Sequence, residues 1–193
     1  MLANLIEQPD SALVEHATAI IASLDHEDDH IRNLAVSMLE RISSTKGGAT
    51  IVPHAANVAE RLESSDGHVR LAVVRALTSL SPAPLASFAP ALVEALADDE
   101  PSVRWAVLEA LGKLEPDELA KVTLTAIDKL IQQQDLSIAK AAVSAWASRL
   151  DPSTEAHGAV LNALSRLGMA ADAQQGSSSS TDYMGLLGRE GRD

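Results

Sequence analysis

Apolar residues recur along this chain at helical spacing, and the pattern itself recurs. Residues 98–114 read DDEPSVRWAVLEALGKL: an acidic turn, a Val-Arg pair, then a helix with an apolar face. Residues 66–80 repeat the phrase as DGHVRLAVVRALTSL, and residues 28–42 and 135–150 repeat it more loosely. Ile31, Val69, Val103 and Ile138 serve as equivalent anchors. Val69 follows Ile31 by 38 residues, Val103 follows Val69 by 34, and Ile138 follows Val103 by 35. Eleven positions upstream of the anchors sit Ile20, Val58, Leu92 and Ile127; seven upstream sit Leu24, Leu62, Leu96 and Ile131. Eight downstream sit Leu39, Leu77, Leu111 and Trp146. Each unit therefore reads as helix A, an acidic turn and helix B, with both helices turning an apolar stripe inward. A period of this length predicts an all-α solenoid of about four helical hairpins.

The units are expected at about 11–46, 50–80, 84–114 and 117–150. Ser81-Pro82-Ala83-Pro84 reads as a rigid break, because proline cannot continue a helical ladder, and Pro116 marks the next break. Gly47 and Gly48 stop the first helix B. Residues 154–168 carry Ala156, Val160, Leu161, Leu164 and Leu167 near helical spacing, a terminal helix over the open end of unit four. Leu2, Leu5 and Ile6 suggest a short helix against the first hairpin or the end of a further hairpin. Residues 1–168 then form one repeat domain. Residues 169–193, with GSSSS and several glycines, read as a flexible tail, in which Tyr183, Met184, Leu186 and Leu187 are a minor candidate recognition segment.

The units resemble HEAT repeats (an armadillo-like α–α superhelix), and among them the short HEAT-like repeats of phycobilisome-lyase relatives. The resemblance covers roughly residues 11–150. Pro53 and Pro90 lie early in helix A, and Arg32, Arg70 and Arg104 stand just inside helix B, as in that family. Unit four departs from it, with Ala139 at the arginine position and Lys140 next. The resemblance implies that each arginine meets an aspartate from a neighbouring turn, with Asp28, Asp66 and Asp99 as candidates for this structural ladder. It also implies that the B helices line a concave face. Trp105, two residues after its anchor, points away from the apolar stripe at 100° per residue, and Leu71 holds the same place in unit two. Asn33 and Lys140 hold it in units one and four. Leu71 and Trp105, with Arg75, Glu109 and Lys113 beside them, form the candidate partner-binding set. Trp146 aligns with core leucines and is expected inside.

Composition narrows the function classes. With 46% hydrophobic but only 2% aromatic residues, the core is built from Ala, Leu, Val and Ile. A net charge of −12 argues against nucleic acid as the main partner, because such binding draws on cationic contacts to phosphate. There is no cysteine, which excludes disulfides and thiolate metal sites. No signal-like N-terminus or long apolar run occurs, so an intracellular, cytoplasmic protein without a membrane span is the expectation.

Candidate chemistry is sparse. The turn Asp25-His26-Glu27-Asp28-Asp29-His30 offers His26 and His30 as weak metal candidates, against a solvated turn that caps a helix. HEAT-repeat deoxyhypusine hydroxylases hold di-iron through repeated His-Glu pairs, but here the pair His26-Glu27 is not repeated at equivalent positions. No phosphate loop, nucleophile elbow or metalloprotease motif is present, so no catalytic residue and no cofactor is assigned. The leading expectation is a non-enzymatic scaffold or adaptor binding a protein on the B-helix face. The alternatives are a bilin-lyase-like subunit that handles a chromophore, as the resemblance implies, and a metal-binding protein acting through residues 25–30.

Overall fold

The computed structural model describes residues 10–44, 49–133 and 136–166. Among them lie eleven α-helices and no strand. Unit one contains α1 (Asp10–Glu15), α2 (Ala17–Ala22) and α3 (Asp29–Ser44); unit two contains α4 (Ala55–Ala59) and α5 (Gly67–Thr78). Unit three contains α6 (Pro82–Ala86), α7 (Ala89–Glu94) and α8 (Pro101–Leu111). Unit four contains α9 (Pro116–Gln132) and α10 (Leu136–Ala147), and α11 (Glu155–Arg166) follows. Each B helix packs on its own A segment, and the B helices α3, α5, α8 and α10 lie side by side in chain order. The arrangement is an all-α solenoid of two helix layers. No helix among the described residues is long and apolar enough to cross a membrane.

The core runs between the layers. Of the sixteen residues that define the repeat, thirteen are buried; Ile31, Leu62 and Ile131 are half-buried. Trp146 is fully inside. The polar residues within the core, Ser43, Thr78 and Thr123, return their hydroxyls to the carbonyls of Leu39, Val74 and Leu119 at 2.6, 2.7 and 2.7 Å. Each of these three buried hydroxyls thereby has a partner.

Helix A is not one helix in the first three units. It bends at His16, His54 and Phe88, each fifteen residues before its anchor. The three residues share a backbone conformation, with φ of −105°, −110° and −101° and ψ of 9°, −1° and 0°. Their amides bond three residues back, to Leu13, Ile51 and Leu85, at 3.0, 2.8 and 2.9 Å. The residue after each bend is a buried alanine, Ala17, Ala55 or Ala89. In unit four the corresponding residues are Thr123 and the exposed Leu124, and α9 runs through unbroken. Pro90 contributes in unit three, since it has no N–H to donate to Ala86 and its ring crowds that carbonyl. Unit one bends without a proline, so the shared cause is the recurring pattern of a large apolar residue, the bend and a small residue.

Several sequence expectations change. Residues 81–84 are not a break: Ser81 is the N-cap, with ψ 159°, and Pro82 opens α6 at its first position, where an N–H has no helical partner anyway. Unit three thus begins two residues earlier than expected. Pro101 and Pro116 open α8 and α9 in the same way. In α11, which packs on α9 and α10, Ala156, Val160 and Leu164 are buried, whereas Leu161 is 46% exposed and Ala163 takes its place inside. A stripe at spacing three to four passes through Ala163 once the helix docks on two neighbours. Gly47, Gly48, Leu167, the expected helix at the start of the chain and residues 169–193 lie outside the described residues.

Leu77 lies in the centre of the core with no exposure. Leu77→Ala is expected to lower unfolding stability by about 2–5 kcal/mol, measured by urea denaturation followed by circular dichroism.

Candidate functional site

The turns between helices A and B carry the first set of predicted residues. Arg32 donates from Nη1 to the carbonyls of His26 and Glu27 at 2.8 and 3.0 Å, Arg70 to Ser64 at 2.8 Å, and Arg104 to Asp98 and Asp99 at 2.8 and 3.1 Å. Each arginine thus closes the turn preceding its own helix. Arg32 also reaches unit two, where its Nε donates to Asp66 at 3.0 Å, and it pairs with Asp29 in its own turn. Arg70 reaches unit three with two parallel bonds to Asp98 at 2.7 and 2.8 Å and a third to Asp99 at 2.5 Å. The position that would receive Arg104 falls partly on residues 134–135, outside the described residues.

Asp66 and Asp98 also hold the turns. The carboxylate of Asp66 accepts the amide of His68 at 2.9 Å, and that of Asp98 accepts the amide of Glu100 at 2.9 Å. Asp28, expected in the ladder, accepts the amide of His30 at 2.8 Å. The strongest pair in the set involves Asp98, which repeat alignment did not select. Alignment matched Asp99 to the turn by register, but the side chain that accepts the bidentate guanidinium lies one residue earlier. The signal available in the sequence was an aspartate two residues before a residue followed by proline, which makes an Asx turn.

Burial pushes the Asp98 carboxyl up, but its bonds from Arg70 and from the Glu100 amide outweigh this and leave it below the usual carboxylate value. Asp66 behaves alike: burial raises it, and the bonds from Arg32 and the His68 amide outweigh this and leave it below the usual carboxylate value. A depressed folded-state value means the ionised form stabilises the fold above the unfolded value, about 3.9, and that this contribution fades as pH falls through the folded value.

Four side chains of the acidic turn 25–30 are engaged, three within the turn and its helix and one with unit two. Asp25 pairs with Arg61 at 2.8 Å, Asp29 with Arg32, and Asp28 caps α3, while the His26 Nδ1 accepts the Asp28 amide at 3.0 Å. Among the described residues no three His, Asp or Glu side chains converge as metal ligands.

The second predicted set meets in one groove. Leu71 and Arg75 from α5, Trp105 and Glu109 from α8, and Lys113 beyond it line an open groove of about 790 Å³, together with Ala141, Ala142 and Ala145 from α10. Trp105 is 47% exposed, while Leu71 is half-buried against the core. Trp146 closes the floor from inside. A smaller adjoining groove of about 410 Å³ continues toward α3 and shares Arg75, Glu109 and Lys113.

The same face shows contacts that sequence reading missed. The Lys113 ammonium donates to the carbonyl of Thr78 at 2.8 Å, and Arg149 donates to the carbonyls of Gly112 and Leu114, the latter at 2.6 Å. These cations cap carbonyls at the C-terminal ends of the preceding B helices, which lack helical partners there. Arg75 pairs with Glu40 at 2.8 Å.

Two measurements check the ladders. Asp98→Asn is expected to cost about 1.5–3 kcal/mol at neutral pH, as for a hydrogen bond to a charged group. The gap from wild type should narrow as pH is lowered below about 4, read by urea denaturation across pH. Arg149→Met is expected to cost about 1–3 kcal/mol, because it leaves two carbonyls without a donor, read as a lower thermal midpoint.

Residues 55–147 match the family of HEAT repeats. The comparison with curated proteins gives no match. Among solved structures, the chain is similar to the crystal structure of an engineered protein at 22% identity, with a TM-score of 0.58 over 94% of this chain and 81% of that one. That likeness speaks for the fold. The repeat register, the two helix layers and the turn arginines agree with it, and residues 55–147 are similar to the HEAT repeats of that family.

Proposed function

We propose that this chain is a non-enzymatic interaction module, a scaffold, adaptor or assembly subunit, that receives a protein partner on its B-helix face. HEAT repeats generally mediate protein–protein interaction. The observation that carries the reading here is Trp105, nearly half exposed on a face where its repeat register gives it no core to fill. It stands beside Leu71 above an alanine floor. A tryptophan is the residue type that most often dominates an interface, and the small floor residues leave room for a partner side chain. Repeat stacks present such extended faces without a catalytic pocket.

Affinity capture from native extract tests this, with wild type beside the Leu71→Ala/Trp105→Ala double variant and circular dichroism showing that both fold. A partner retained about tenfold less by the variant, a loss of some 1.4 kcal/mol, supports the reading. A partner held equally by both sinks it and moves the site to the helix A layer.

A further inference from the structure

We infer that the groove takes an acidic amphipathic segment of the partner, a helix with a bulky apolar side chain against Trp105 and carboxylates toward α5 and α10. This rests on the proposed docking at the B-helix face and names its chemistry.

The argument is the division of charge between the two layers. The chain has 27 acidic and 15 basic residues, so a random face would be acidic. Yet α5 and α10 carry Arg70, Arg75 and Lys140 and no carboxylate at all. Lys140 is exposed and occupies the register of Leu71 and Trp105 on the next B helix. Arg75 and Lys113 line the groove itself, where Glu109 is the single carboxylate among the described residues. On the other layer, Glu60, Glu63, Glu94 and Asp98 surround a separate groove of about 540 Å³. An acidic segment is drawn to the first face and repelled from the second, and a basic segment the reverse. The Arg75–Glu40 pair is 58% and 40% exposed at its two ends. Such a pair is individually weak, so Arg75 can turn to a partner carboxylate at little cost. Alanines 106, 141, 142 and 145 keep the floor low enough for a helix to approach closely.

The test is selection on the full chain from a displayed library of random peptides of about 16 residues, long enough as a helix to span two to three neighbouring B helices. Binding of the enriched peptides is followed by acrylamide quenching of Trp105, with Trp105→Phe reporting the buried Trp146 alone. The expected pool is net acidic, with Leu, Phe or Trp at helical spacing. It shields Trp105 and binds the Arg75→Glu/Lys140→Glu variant at least about tenfold more weakly, a shift of some 1.4 kcal/mol. Neutral or basic peptides that shield Trp105 leave the B-helix face standing and overturn the acidic partner. Peptides that bind without shielding Trp105, or a library that enriches nothing, overturn both. Single-stranded DNA that shields Trp105 as fully as the peptides makes the occupant a simple polyanion and overturns the proposal. So does a Trp105 that is already shielded and becomes quenchable in Tyr183→Ser/Leu187→Ser, which identifies the chain's own C-terminal segment as the occupant.

Discussion

A two-helix hairpin of this size has apolar surface on more sides than it can cover by folding on itself, and the rest of the structure follows from that shortfall. Leu77 and Leu111 are inaccessible because α5 packs against α3 and α8 as well as against its own helix A. At the C-terminal end α11 lies over α9 and α10 and buries Ala156, Val160, Ala163 and Leu164, leaving Leu161 on its outer side. With almost no aromatic residues, the core depends on many small contacts between close helices. That explains why alanines recur where helix A bends.

Apolar stacking sets distance but is indifferent to sliding, and the polar contacts between units supply the register. Most of them join residues one repeat apart: 34 for Arg32 and Asp66, 36 for Arg61 and Asp25, 35 for Lys129 and Glu94, and 35 for Lys113 and Thr78. They sit at both ends of the B helices and on the helix A layer. Arg70 and Asp98 are the most enclosed pair, with 11% and 6% of their side chains exposed. Burying two charges costs desolvation, and the pair is tolerated because every face of the guanidinium finds an oxygen. Its worth lies in orientation more than in net stability.

The groove arises from the same geometry. A residue two positions after an anchor is turned about 200° from the anchor's direction, and Asn33, Trp105 and Lys140 are accordingly exposed while Leu71 is half-buried. Asparagine, leucine, tryptophan and lysine occupy this row in the four units. The scaffold is therefore repetitive while the row it displays is not, and that is where the chain's individuality resides.

The chain's local periodicity determined much of this unaided. The period, the four hairpins, the burial of Trp146 and the outward aim of Trp105 are consequences of helical spacing within a single segment, which is written in residue order. The convergence of Leu71, Arg75, Trp105, Glu109 and Lys113 was legible too, because B helices stack in chain order. What only the tertiary structure decided depends on distances between units. That Arg70 grips Asp98 with two bonds and Asp99 with one, whether Leu161 or Ala163 faces inward, and which carbonyls Lys113 and Arg149 reach all turn on offsets of a few ångströms between neighbouring helices. The bends at His16, His54 and Phe88 belong to the same class. Their backbone preference is weak at any one residue and becomes definite only when each half of helix A packs on the core.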